Sequence, residues 1–307
     1  MNTKDFTTGG WRLLLAGAAL MLGACDAANE LADELDDTNA DVYYYLSLGD
    51  SLAVGVQPNG SGLTVPTNDG YPDQLFDSIR TAFEAGGANR ELRLTKFGCP
   101  GETLDDMING GNCPYLAGSQ LDAAVDFLQD NADRVYLVTM DIGGNDFRNA
   151  DCIDTVVDLN CTNAVAGQIA ADLATVLVAL DNAAHADTTI VGVNYYNPYL
   201  SSWLEDAAGQ ALARDAADAV RIVMNVLNTA YANAGVVLAD VAAAFQSDDF
   251  DTMVPTALPA PNDELPINVA NICEFTYQCA PDPVGPDIHA NTAGYALIAE
   301  TIEAVLP

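Results

Sequence analysis

Tyr45-Leu46-Ser47-Leu48-Gly49-Asp50-Ser51-Leu52-Ala53 sets the first strand of the fold and, at its end, a hydroxyl group. An apolar run of β-forming residues breaks at a glycine, and Ser51 follows where a turn or helix begins. A serine there has a backbone N–H that can face a developing anion. Gly, Asp and Ser are also the commonest turn residues, so Gly49-Asp50-Ser51-Leu52 alone reads equally as a surface turn. The Gly-x-Ser-x-Gly elbow is missing, because Ala53 occupies its second glycine position, and this disfavours the α/β-hydrolase arrangement.

Outward from this stretch, β-rich runs alternate with helical patterns. Strands are predicted at Val42 to Ser47, Arg93 to Phe97, Val135 to Ile142, Thr189 to Tyr195 and Val236 to Leu238. Helices are predicted at Pro72 to Ala85, Ser119 to Asn131, Ala166 to Ala184, about Trp203 to Asn233 and about Asn291 to Leu306. Several strands lack polar alternation, as a parallel sheet covered on both faces requires, and the connections are long enough for helical crossovers. The predicted fold class is therefore α/β, a three-layer α/β/α sandwich. Sites in such sheets gather outside the carboxyl ends of the strands. Ser51 follows the first strand, Gly101 the second and Asn145 the third. The proline-rich segment Asp248 to Pro286 is expected to be the longest loop, a lid or rim.

The 307 residues are 50% apolar and carry 44 acidic against 10 basic side chains, a net charge of −34. Such a field repels an extended nucleic-acid footprint, so nucleic acid is excluded as a partner. Only two lysines, Lys4 and Lys96, accompany this acidity, which suits a heavily hydrated surface in salty water or simply a soluble acidic protein. At the N-terminus, Lys4 and Arg12 precede an apolar run from Leu13 to Ala24 that is too short to span a bilayer. Residues 1–24 read as a leader, 25–40 as an acidic tether and 41–307 as one domain. Leu22-Gly23-Ala24-Cys25 resembles the bacterial lipobox, so Cys25 is the expected lipidation site, although an ordinary secretory signal with an incidental cysteine fits too. Asp26 resembles an inner-membrane retention signal. The expected location is the cell envelope, lipid-anchored, with membrane contact only through the anchor. Six cysteines remain; 15 connectivities are open to them, and local pairing, Cys99–Cys113, Cys152–Cys161 and Cys273–Cys279, is the simplest for an exported chain. Clustered Cys/His spacing for zinc is absent, and no metal or cofactor is expected.

A serine nucleophile needs an imidazole and oxyanion donors. Of two histidines, His185 lies between a helical stretch and a strand, whereas His289 opens the C-terminal helix in Asp287-Ile288-His289 and is the plausible base. Gly143-Gly144-Asn145-Asp146 supplies a strand-end amide, although this and Gly101 also read as turn positions needing positive φ. Asp50 and Asp146 are too few for a calcium site and are expected to brace the rim loops. Tyr195-Tyr196-Asn197-Pro198-Tyr199 and Trp203 fit either an acyl or sugar pocket or core packing.

With Ser51 in Gly-Asp-Ser-Leu, Gly101 in Cys-Pro-Gly-Glu-Thr, Asn145 in Gly-Gly-Asn-Asp and His289 in Asp-Ile-His, nearly the whole domain resembles the SGNH, or GDSL, hydrolases. The resemblance implies a flavodoxin-like five-stranded parallel sheet. It also implies Ser51 as nucleophile, His289 as general base and then acid, and an oxyanion hole of Ser51 N–H, Gly101 N–H and the Asn145 amide. One departure stands out: the family commonly places its Asp three residues before the His, where this chain has Pro286. Asp287, Asp282 or a backbone carbonyl is left to orient the ring. Asp287 is favoured because residues two apart in an extended segment share a face, although it could instead cap the final helix. The expected function is an exported serine carboxylic-ester hydrolase, a lipase or esterase acting as a monomer on a small-molecule ester of a lipid or an acylated carbohydrate. A non-catalytic envelope lipoprotein binding glycans or lipids, and an acyltransferase on the same scaffold, are the alternatives.

Overall fold

Successive residues of the central strands point to opposite faces, and in this chain both faces carry apolar side chains. In the computed structural model, which describes residues 41–87 and 89–307, Leu46, Leu48, Val138 and Met140 pack into one core, and Tyr45, Leu137, Val191 and Val193 into another across the sheet. Two separate cores on one sheet require helices on both sides. The leader, Cys25 and the tether lie outside the described residues.

The chain begins with β1 (Asp41–Gly49), a hairpin of β2 (Val56–Pro58) and β3 (Thr64–Pro66), α1 (Tyr71–Ala85) and β4 (Arg90–Lys96). Next come α2 (Leu104–Asn109), α3 (Gln120–Asp130), β5 (Val135–Asp141), α4 (Gly144–Asn149), α5 (Leu159–Ala183) and β6 (Thr189–Val193). A 3₁₀ turn at Pro198–Leu204, α6 (Ala207–Asn233), β7 (Val237–Ala239) and α7 (Val241–Ala244) follow. The chain closes with a second hairpin, β8 (Met253–Pro255) and β9 (Glu264–Pro266), then α8 (Ile267–Phe275) and α9 (Thr292–Glu303). The main sheet is parallel in the order β4-β1-β5-β6-β7. Helices α3, α5 and α6 contribute to the first core, and α1 and α9 to the second. This is the predicted three-layer α/β/α sandwich with a flavodoxin-like strand order. Its connections diverge between β1 and β5, and the crevice at their carboxyl ends is where such sheets place their ligands.

Local chemistry sets the helix boundaries. Asp73 closes the start of α1, its Oδ2 accepting the Gly70 N–H at 3.0 Å, and Ser119 caps α3 by accepting the Asp122 N–H at 3.0 Å. Helix α5 is long and apolar enough to cross a bilayer, yet its Ile169, Leu173, Val176 and Leu180 are buried in the core.

The structure amends two expectations. The helical stretch drawn from Trp203 is broken: a 3₁₀ turn ends at Leu204, and Asp206 starts α6 anew by accepting the Ala208 and Gly209 N–H groups at 2.8 and 3.0 Å. The region Asp248 to Pro286 is not a long loop either. It holds the β8–β9 hairpin and α8, whose Val269 and Ile272 are buried under the second core.

Candidate active site

The turn after β1 is built from beneath. Gly49 sits at φ +127°, and a Cβ there would run into the Asp141 carbonyl oxygen, so only glycine fits. Its N–H donates to Gln120 Oε1 at 2.6 Å, and Gln120 Nε2 returns a bond to the Gly49 carbonyl at 3.0 Å. The Asp50 N–H donates to the Asp141 carbonyl at 3.1 Å. This fixes the peptide that precedes Ser51, whose hydroxyl lies 3.5 Å from Asp50 Oδ1. Ser51 is partly exposed, while Asp50 is buried.

Two further N–H donors surround Ser51. Gly101 lies at φ +82°, where a Cβ would make only ordinary contact with Asn112 Nδ2 at 3.6 Å, in a loop tied by the Cys99–Cys113 disulfide and by Asn112 Nδ2 donating to the Pro100 carbonyl at 2.9 Å. Neither the Ser51 nor the Gly101 N–H has an acceptor among the described residues. Asn145, on α4, donates its side-chain amide to Glu102 O at 3.0 Å and to Asp50 Oδ2 at 3.2 Å. If Ser51 attacks an ester, the resulting oxyanion would have to draw one of those donors away. Asn145→Ala is expected to lower kcat by about 10²- to 10³-fold with little change in KM, as loss of a donor used only in the transition state does; steady-state kinetics on a soluble ester, with a melting curve as the folding control, check it.

His289 comes to the same rim from the other end of the chain. Its Nδ1 meets Asp287 Oδ1 at 2.7 Å, and its backbone N–H donates to the same oxygen at 2.9 Å. Partial burial raises the Asp287 carboxyl, but the bonds from His289, aided by the charge of the nearby Arg148, outweigh it and hold the carboxyl below its usual range. Asp287 therefore meets the ring as expected, and it does not cap the last helix: Asn291 does, accepting the Gly294 N–H at 3.0 Å. The segment is pinned by Tyr196, which donates to the Ile288 carbonyl at 2.7 Å, and by Tyr277, whose N–H donates to the His289 carbonyl at 3.0 Å. His185 precedes β6 at the amino ends of the strands, away from this rim.

The three disulfides fall where the sequence pairs them, and each lies beside a different site loop. Cys99–Cys113 borders the Gly101 turn, Cys152–Cys161 closes the chain behind α4, and Cys273–Cys279 encloses Tyr277, which braces His289. Closing a loop of 14 residues, as the first does, is worth about 3 kcal/mol against the unfolded chain. Cys99, Glu102 and Cys113 also cluster closely enough to suggest metal ligands. The disulfide consumes both thiols, so they do not serve.

Ser51, Asn145 and His289 line two adjoining cavities. One is apolar, walled by Leu52, Phe147, Tyr196, Val223, Met224 and Ile288. The other is a more polar cleft with Gly101, Thr64, Gln278 and Asp287. Of the aromatic cluster, Tyr195, Tyr196 and Tyr199 wall the apolar chamber. Trp203 does not; it lies against Phe250, with Arg214 over both rings.

Beneath the Ser51 turn lies a buried carboxyl pair that the sequence reading missed. Asp50 accepts from the Leu52 N–H at 3.0 Å, Tyr195 OH at 2.9 Å and Asn145, whereas Asp141 accepts from Tyr71 OH at 2.6 Å. Burial pushes both carboxyls up, Asp141 furthest because it also faces Asp50. The richer set of donors leaves the charge on Asp50 and the proton on Asp141. An acid raised in the folded state contributes stability that is complete below its unfolded value and is lost as pH rises through its folded value. Thermal melting from pH 5 to 8 should thus decline less steeply in Asp141→Asn, which is neutral throughout, than in the native protein; parallel declines would count against the shared proton. Glu102, buried in the Gly101 loop and raised to about 7 by burial and by Asp106, adds to the native slope in the same direction. Asp146 braces the rim as expected, accepting the Leu104 N–H at 3.0 Å. A carboxylate closing an apolar strand, as Asp141 does, was the available signal for the buried pair.

The chain matches the GDSL-like lipase/acylhydrolase family model over residues 45–302. A comparison with curated protein sequences gives no match. Among solved structures, the extracellular lipase of Streptomyces rimosus is similar at 17% identity with a TM-score of 0.50, over 86% of this chain and all of that one. Phospholipase A1 of Streptomyces albidoflavus follows at 17% identity and 0.49, covering 86% and 99%. A carbohydrate acetylesterase family member of Sinorhizobium meliloti stands at 14% and 0.46, covering 86% and 96%.

Proposed function

From the premise that the chain belongs to the GDSL-like lipase/acylhydrolase family, we propose that it is a serine carboxylic-ester hydrolase working through an acyl-Ser51 intermediate. One observation carries the reading: a serine with a free N–H, a second free N–H at Gly101, a side-chain amide and a carboxylate-oriented imidazole border one cleft beside an apolar chamber. Ser51 Oγ attacks the ester carbonyl as His289 Nε2 takes its proton. The oxyanion draws on the Ser51, Gly101 and Asn145 donors, and the imidazolium returns the proton to the departing alcohol. Water, deprotonated by the same ring, then releases the carboxylic acid and restores Ser51. The apolar chamber suits the acyl group, and the polar cleft suits the alcohol.

Export and attachment at Cys25 belong to this proposal, supported by the leader-like residues 1–24 and by three disulfides, which persist in oxidising compartments. A fluorophosphonate probe tests the chemistry: the native protein should gain one adduct at Ser51, located by peptide mass spectrometry, and His289→Ala should label far more slowly. Equal labelling of both proteins, or none, would favour a binding protein over an enzyme.

A further inference from the structure

Resting on the hydrolase reading, we propose that Arg148 binds an anionic group, phosphate or carboxylate, carried by the alcohol portion of the ester. Arg148 lies three residues beyond Asn145 on α4, and it alone among the described arginines and lysines lines both the apolar chamber and the polar cleft. The chain's other described cations have engagements or lie elsewhere. Arg80, Arg93, Lys96 and Arg221 form ion pairs, and Arg90 and Arg214 lie over aromatic rings. Arg134 has neither, but it precedes β5 at the amino ends of the strands, away from the site. Arg148 also has neither, and it stands exposed where the two cavities meet at Ser51.

An unpaired guanidinium is unusual in a protein of net charge −34, where carboxylates are plentiful. Asp287, whose carboxyl feels the Arg148 charge, already accepts twice from His289. The five N–H donors of Arg148 are therefore available in the fork geometry that matches phosphate and carboxylate oxygens. With the acyl chain in the chamber walled by Phe147, Val223 and Met224, the alcohol leaves along the cleft and passes beneath Arg148. Against the repulsive field of the whole protein, one local positive charge at the reacting bond selects a substrate that brings a compensating negative one. An anionic lipid headgroup and a soluble acidic alcohol share this chemistry.

Octanoyl esters of glycerol, glycerol 3-phosphate and glyceric acid share an acyl group and differ in the charge of the alcohol. The full chain should cleave at least one anionic ester with kcat/KM about tenfold or more above the neutral one at low ionic strength, and added salt should shrink that preference. The phosphate and carboxylate arms report which source of anion the site fits. Arg148→Gln should lower the anionic-to-neutral ratio by about tenfold or more, and Arg148→Lys should lower it less, since an ammonium keeps the charge and loses the fork. A residue that merely positions Asp287 or the α4 turn would depress all three esters alike and leave the ratio where it was, and that outcome overturns the proposal. Cleavage of the neutral ester with no anionic preference overturns it as well while leaving the hydrolase reading intact. No cleavage of any ester together with no fluorophosphonate adduct removes both.

Discussion

Ser51→Ala is expected to lower kcat on soluble esters by on the order of 10⁴-fold or more and to abolish the fluorophosphonate adduct. Removing a nucleophile leaves only the rate that binding and oxyanion donors supply, and residues that act as one unit lose nearly all their contribution together. Ser51→Ala, His289→Ala and the double substitution should consequently share one low rate instead of multiplying their losses. Folding is not the cause, because Ser51 is partly exposed and its hydroxyl makes a single long contact, 3.5 Å to Asp50. Melting temperatures close to the native value would establish this. If the double variant loses the product of the two single factors, the residues act independently and the shared mechanism is wrong.

Asp287→Asn is expected to lower kcat by about 10²- to 10⁴-fold, a range bounded above by the loss seen when a fully buried orienting Asp becomes Asn. The Asp287 Oδ1 atom accepts from both His289 Nδ1 and the His289 backbone N–H, so it fixes which ring nitrogen carries the proton and which way the ring faces. An asparagine that turns its amide nitrogen toward the ring favours the opposite tautomer and presents Nε2 already protonated, unable to accept from Ser51. The Asp287 side chain is 19% exposed, and water can partly take its place, which puts the expected loss toward the lower end of the range. Asp282→Asn should leave kcat close to native. An unchanged kcat in Asp287→Asn would return the orienting role to a backbone carbonyl.

The departure at Pro286 illustrates what residue order can and cannot convey. From the sequence, Asp287, Asp282 and a carbonyl were all open, and a helix-capping role competed with the first. The decision came from Asn291, which caps α9, and from Tyr196 and Tyr277, which hold the Asp287–His289 segment in a local turn where Asp287 Oδ1 accepts the His289 N–H and reaches the ring. Asn291 and Tyr277 belong to no motif, and Tyr196 reads in sequence only as a pocket or core aromatic, so no spacing rule points to this choice.

Local patterns were enough for the parallel sheet, the strand-end positions of Ser51, Gly101 and Asn145, and the local pairing of six cysteines, because period-two burial, turn glycines and short loop closure depend on near neighbours in the chain. Contacts made across the sheet were not legible in that way. The Asp50–Asp141 pair joins two strands 91 residues apart, Gln120 reaches back 71 residues to hold Gly49, and the proposal for Arg148 turns on its having no ion-pair partner among the described residues. The 3₁₀ turn before α6 and the helix within the proline-rich region likewise depended on packing, since Asp206 capping and the burial of Val269 and Ile272 override local propensity. Sequence by itself determined the order of the strands' chemistry; tertiary structure alone decided which charges meet, because Coulomb and hydrogen-bond energies depend on distances in space that a linear chain does not specify.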